Sequence, residues 1–190
     1  LFIVGDAHQR IYARRSSMAS CGINVRGRSR RLRLNYRTTQ EIRTWAVSIL
    51  EGVNFDDLDE GMDTLNGYVS LLKGPPPDLV SYPSEIEELK GLAEWVIEVI
   101  SSGTAPEEIG ILCNRRKDIA RVEDALKAIE VEFVELKAGK ADNHDVGGVR
   151  ITTMHRAKGL EYFAVAIPFM SETAFPPSVA LRSAVDDADR

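Results

Sequence analysis

The side chains able to do chemistry gather in three short runs of this 190-residue chain. The densest is Ile151-Thr152-Thr153-Met154-His155-Arg156-Ala157-Lys158-Gly159-Leu160-Glu161, where an apolar strand pattern runs straight into hydroxyls, an imidazole, two cations and a carboxylate. That mixture is more than packing requires. The other runs are Val4-Gly5-Asp6-Ala7-His8-Gln9-Arg10-Ile11-Tyr12 and Leu34-Asn35-Tyr36-Arg37. An amide such as that of Gln9 can donate to an anionic oxygen and accept from water. A guanidinium such as that of Arg37 is a permanently charged planar fork suited to phosphate oxygens. Other chemistries find little support. His8, His144 and His155 have no partner at metal-ligand spacing, so no metal site is expected. No Gly-x-Ser-x-Gly element and no Gly-x-x-x-x-Gly-Lys-[Ser/Thr] phosphate loop occurs in the chain.

The elements that must position these runs follow from periodicity. Leu1 to Val4 reads as a buried strand ending at Gly5-Asp6, and Arg31 to Leu34 as a second. Thr38-Thr39-Gln40-Glu41 has the capping-box pattern, with Ile42, Trp45, Ala46 and Ile49 at helical spacing, which places Arg37 at a strand-to-helix junction. Residues 51–66 are acidic and turn-rich, Tyr68 to Leu72 is strand-like, and Gly74-Pro75-Pro76-Pro77 forces an extended connector before a further strand at Leu79 to Tyr82. Ser84-x-x-Glu87 opens a helix to about Ser101, with Ile86, Leu89, Ala93, Val96, Ile97 and Ile100 on its apolar face. Then come a strand at Ile109 to Cys113, a helix marked by Ile119, Val122, Leu126 and Ile129, and a strand at Phe133 to Leu136. A polar loop over 138–147 precedes strands at Val149 to Thr153 and Phe163 to Phe169. Strands alternating with helices predict an α/β fold with a mostly parallel sheet and helices on both faces. In such sheets ligands collect beyond the carboxyl ends of the strands, where all three runs are expected to lie.

Composition sets the outer bounds. A hydrophobic content of 44% and a charged content of 28% are those of a globular domain. Cys21 and Cys113 lack C-x-x-C spacing, which suits a reducing cytoplasm, and no apolar run is long enough to span a bilayer. The net charge of −5 hides an uneven distribution. Arg10, Arg14, Arg15, Arg26, Arg28, Arg30, Arg31, Arg33, Arg37 and Arg43 make the first quarter basic, while acidic residues dominate at 56–60, 85–98 and 123–145. This suits an anion-facing surface with an acidic back; the plainer alternative is a solvated charged face.

In order and content, the three runs resemble motor motifs of the superfamily 1 helicases of the UvrD/Rep/PcrA group. The resemblance implies the final strand of a first RecA-like domain in residues 1–30 and a second RecA-like domain in residues 31–190. The phosphate loop and acidic magnesium-binding motif would precede Leu1. Ala174-Phe175-Pro176-Pro177-Ser178 with Asp186-Asp187 is similar to the approach to a closing motif that would follow Arg190. The large domain that family members often carry between Arg37 and the third run has no room here.

By the same resemblance, Gln9 would sense the terminal phosphate of ATP, and Tyr12 would stack on single-stranded bases without reading sequence. The family commonly has an aromatic residue two positions after that tyrosine. This chain has Arg14 followed by Arg15, which would give strand binding a more electrostatic character. Arg37 would reach the terminal phosphate from the second domain and stabilise charge spreading onto it. Thr152, Thr153 and His155 would contact the nucleic acid, Lys158 would order the turn, and Glu161 would face the nucleotide. Plainer alternatives are that Asp6 caps a turn, Tyr12 covers the core and Arg37 pairs with a surface carboxylate.

The expectation is therefore part of an ATP-dependent DNA helicase or translocase moving 3′ to 5′. ATP and Mg2+ would serve the whole motor. Single-stranded DNA and the first RecA-like domain would be its partners, with no membrane involved. The 190 residues alone, lacking a phosphate loop, would not hydrolyse ATP. The competing expectation is a noncatalytic nucleic-acid-binding or protein-interaction module derived from such a motor, and an RNA-directed motor is a third. Residues 1–15 are expected to form an exposed, sheet-like apolar segment.

Overall fold

The computed structural model describes residues 21–23, 30, 32–49, 55–56, 62–63, 67–137, 139 and 141–171. The expected strand at Leu1, the run from Val4 to Tyr12, Arg14, Arg15 and the segment from Ala174 onward lie outside them. The chain divides into two compact units, residues 1–79 with 179–190, and residues 80–178. The boundary expected at residue 30 falls inside the first.

The second unit is an α/β layer built on short parallel strands. Strands β5 (Ile109–Cys113), β6 (Phe133–Glu135), β7 (Val149–Thr153) and β8 (Ala164–Ala166) form one parallel sheet in the order β6-β7-β5-β8. Parallel pairing needs crossovers, and helices α2 (Glu85–Ser101) and α3 (Arg116–Ala128) belong to this unit. α2 starts where expected, because the Ser84 hydroxyl accepts from the Glu87 N–H at 3.2 Å. Val96 of α2, Val122 and Leu126 of α3, Ile109, Ile111 and Cys113 of β5, and Val149 and Ile151 of β7 are fully buried in one cluster. At roughly 1.5–3 kcal/mol per large apolar side chain, this cluster dominates the unit's stability.

The other sheet face is covered differently. Gly110, Arg150 and Thr152 point to it, and among the described residues Tyr162 and the polar loop after β6 cover them. A helical layer was expected there. Gly110 and Arg150 explain the departure, since one invites a ring against the backbone and the other needs polar partners.

Other departures are local. Leu79 to Tyr82 forms no strand; Leu79 is 80% exposed, and the flanking prolines lack amide donors. The strand expected over Phe163 to Phe169 shrinks to Ala164–Ala166, because Pro168 cannot donate and Phe169 turns to φ 64. On α2 the buried stripe runs through Leu92, Ala93 and Val96, which leaves Ile86 and Ile97 exposed.

Phe169 marks a clasp. Its N–H donates to the Glu88 carboxylate on α2 at 2.6 Å, and the Arg121 guanidinium on α3 sits 4.4 Å from its ring centre. Arg121 also bonds Glu85 at 2.6 Å, and buried Asp118 accepts from both Arg115 and Arg121. The clasp joins both helices to the chain leaving β8.

The first unit is thinner. Strand β1 (Leu34–Thr39) pairs in parallel with β4 (Val69–Leu72), and helix α1 (Gln40–Ser48) follows β1 directly. The acidic stretch between them holds a short antiparallel pair, β2 (Phe55–Asp56) with β3 (Met62–Asp63). No α1 residue is buried, and in β4 only Ser70 is. The strand expected over Arg31 to Leu34 is found instead over Leu34 to Thr39, sharing only Leu34 with the expectation, and the β-branched pair Thr38-Thr39 brings the ladder to its end at Leu72. The helix cap moves accordingly: Thr39, not Thr38, accepts from Ile42 N–H.

Candidate functional site

Arg37 lies within β1, three residues before α1, rather than at the junction itself. β1 is irregular there. Asn35 pairs with Ser70 and Thr39 with Leu72, so four steps along β1 oppose two along β4. The extra length is a bulge, a device that re-aims a side chain out of the regular pleat. Asn35 satisfies the displaced backbone, its Oδ1 accepting from Arg37 N–H at 2.8 Å and Thr38 N–H at 3.1 Å while its Nδ2 donates to the Thr38 hydroxyl. Tyr36 and Arg37 are consequently exposed.

Polar side chains of α1 hold this bulge to β4. Gln40 accepts from Ser70 N–H at 2.8 Å, and Glu41 accepts from Gly74 N–H at 2.9 Å. The Glu41 carboxyl is held below its ordinary range by that bond to Gly74, with a smaller contribution from Lys73. Glu41 therefore does not complete the capping box expected of it. A Cβ on Gly74 would stand 2.8 Å from Thr39 Cγ2, so a larger residue there would force Thr39 or the chain after β4 to shift.

In the second unit β7 is an interior strand that delivers the densest run to its carboxyl end. Its alternation divides the labour. Val149 and Ile151 enter the apolar core, while Arg150 and Thr152 face the polar side. Arg150, with no exposed surface, binds Asp142 Oδ1 at 3.1 Å, the Gly148 carbonyl at 2.6 Å and the Asn143 carbonyl at 2.9 Å. Pairing with Asp142 and a hydrogen bond from each guanidinium nitrogen offset the cost of burying this cation, and they fasten the loop beside β7. The buried Thr152 hydroxyl donates to the Leu136 carbonyl at 3.2 Å. Among the described residues the Thr152 side chain is buried and committed to the neighbouring strand end, rather than displayed at the surface where its contact with nucleic acid was expected.

Beyond β7 the chain turns sharply. Thr153 accepts from Arg156 N–H at 3.3 Å and caps a single helical turn, α4 (Met154–Ala157), and Gly159 at φ +88 ends it. His155 and Glu161 are exposed, and Thr153 is half-buried at the rim. Thr153 and His155 belong to this capped turn at the strand's carboxyl end, and Glu161 follows it in the chain. The Tyr162 ring lies over Gly110 so closely that a Cβ there would come within 2.5 Å. Its hydroxyl is buried without a hydrogen-bond partner among the described residues, and burial with the nearby Asp142 charge pushes the phenol up to about 12.

Arg115, just before α3, is bound to Asp118 at 2.7 Å, and that bond raises its pKa. Sequence reasoning missed Arg150, Asp142 and Tyr162. The available signals were Gly110 inside an apolar strand, which marks a close approach, and an arginine between Val149 and Ile151. Gln9, Tyr12, Arg14 and Arg15 lie outside the described residues. Among the described residues no group of three or more His, Cys, Asp or Glu side chains could hold a metal ion, and no helix is long and apolar enough to cross a membrane. No protein-family model, curated protein or solved structure matches the chain.

Proposed function

We propose that this chain is part of an ATP-dependent helicase or translocase that moves on single-stranded DNA, with the trailing end of a first RecA-like motor domain in residues 1–30 and a second in residues 31–190. The observation that carries the reading is the capped turn from Thr153 to Glu161 at the carboxyl end of an interior parallel strand, where α/β sheets bind ligands. One turn offers a hydroxyl and an imidazole for a nucleic-acid backbone and, six residues past His155, a carboxylate for the nucleotide side. The bulge that exposes Arg37 supports a second role, an arginine directed at the terminal phosphate of ATP. In this reading Gln9 senses the same phosphate, Tyr12, Arg14 and Arg15 continue the strand track, and ATP with Mg2+ is held chiefly by the first motor domain.

The test is DNA-stimulated ATP hydrolysis by the protein carrying both motor halves, wild type beside Arg37→Ala and Glu161→Ala, with ATP binding followed in parallel. Turnover should fall by roughly 10³ or more for Arg37→Ala with ATP still bound, the size of loss typical of such arginines. Unchanged turnover would move the active site elsewhere. Absence of hydrolysis in the wild type, with single-strand binding retained, would favour a noncatalytic module.

A further inference from the structure

We infer that Lys137 and Arg156 form a phosphate-contacting pair at the neighbouring carboxyl ends of β6 and β7, in the place from which Thr152 is withdrawn. The inference rests on the nucleic-acid reading of the β7 turn. Register puts the residues side by side: Glu135 pairs with Ile151, and two residues on, Lys137 stands level with Thr153, the cap of the turn. Arg156 then reaches back across the gap, its Nε donating to the Lys137 carbonyl at 3.4 Å. Two further bonds brace the same join, Leu136 N–H to the Ile151 carbonyl at 2.9 Å and the Thr152 hydroxyl to the Leu136 carbonyl. The β6 end and the β7 turn are thereby one braced surface, with exposed His155 on the same turn.

Both groups suit a sequence-blind track. Guanidinium and ammonium bind phosphate oxygens without reading bases. The Lys137 side chain is 57% exposed and pairs with Glu135 at 3.2 Å, an interaction weak enough at that exposure for a phosphate to displace. The Glu135 carboxylate then acts as a competitor for the lysine, occupying it until a strand arrives.

The experiment measures binding of a fluorescent oligothymidylate to the full chain across a range of salt concentrations. Each phosphate contact contributes about 0.7 to the slope of log affinity against log salt for single strands. Lys137→Ala and Arg156→Ala should each lower the slope by about 0.7, and the double variant by about 1.4. Lys137→Arg should keep the slope, and Glu135→Gln should tighten binding at every salt concentration. Lys90→Ala, a similarly exposed cation on α2, should leave the slope alone. Unchanged slopes in the Lys137 and Arg156 variants, with wild-type binding intact and thermal unfolding unaltered, would overturn the pair but not the nucleic-acid reading. No binding by the wild type would overturn both.

Discussion

The two candidate regions sit on scaffolds of different construction. The β7 turn projects from an interior strand whose Val149 and Ile151 are fully buried, whereas the Arg37 bulge projects from a two-stranded ladder whose following helix buries nothing. One is held by apolar packing. The other is held by directed hydrogen bonds from Asn35, Gln40 and Glu41. Packing resists displacement in every direction, while a few polar clips fix orientation and release easily. On the function proposed above, a grip on a strand would need the first property, and a group that meets a ligand at one stage of a cycle would need the second.

The sharpest way to break this contrast is to cut an isoleucine from each. Ile151→Ala should cost about 2–5 kcal/mol in urea unfolding of the second unit, while Ile42→Ala in α1 should stay within about 0.5 kcal/mol. Equal losses would mean that α1 is as well packed as β7. Next in size is Gly110→Ala, whose methyl group meets the Tyr162 ring and should cost about 1–3 kcal/mol. Tyr162→Phe removes only an unpartnered hydroxyl, so its unfolding midpoint should match or exceed that of the wild type. In the first unit, Thr39→Ala removes the helix cap and should cost about 1 kcal/mol, read as faster amide exchange through α1 with β7 unaffected.

A further effect is alkaline. Burial, assisted by the Asp118 charge, pushes the Cys113 thiol from 9.0 up to about 12. Above pH 9 the unfolded chain releases this proton and the folded chain keeps it, so stability should fall between pH 9 and 12. Cys113→Ala should flatten that part of the profile. Alkylation should reach exposed Cys21 in the native protein and Cys113 only on unfolding.

Much of the second unit was legible in the sequence because its signals are local and agree with one another. Ser84 caps α2, and Ile109 to Cys113 and Val149 to Thr153 become strands with the bounds their apolar runs suggest. The roles of Thr152 and Arg150 were not legible, since alternation tells which way a side chain points but not what waits on that face. Leu136 and Asp142 supply the answer through contacts that span 16 and 8 residues. In the first unit the end of β1 was misjudged because Thr38 and Thr39 serve a strand and a cap equally well, and only pairing with β4 decides between them. Gln9, Tyr12, Arg14 and Arg15 keep their standing as sequence expectations.

The bulge in β1 absorbs an even number of residues. Asn35 and Thr39 therefore stay in phase with Ser70 and Leu72, and the strand keeps the same side toward its neighbour before and after the interruption. The Tyr36-Arg37-Thr38 segment is in effect a cassette. Two residues can be taken out or put in without turning the remainder of β1 inside out, whereas a single insertion would reverse every side chain between it and α1.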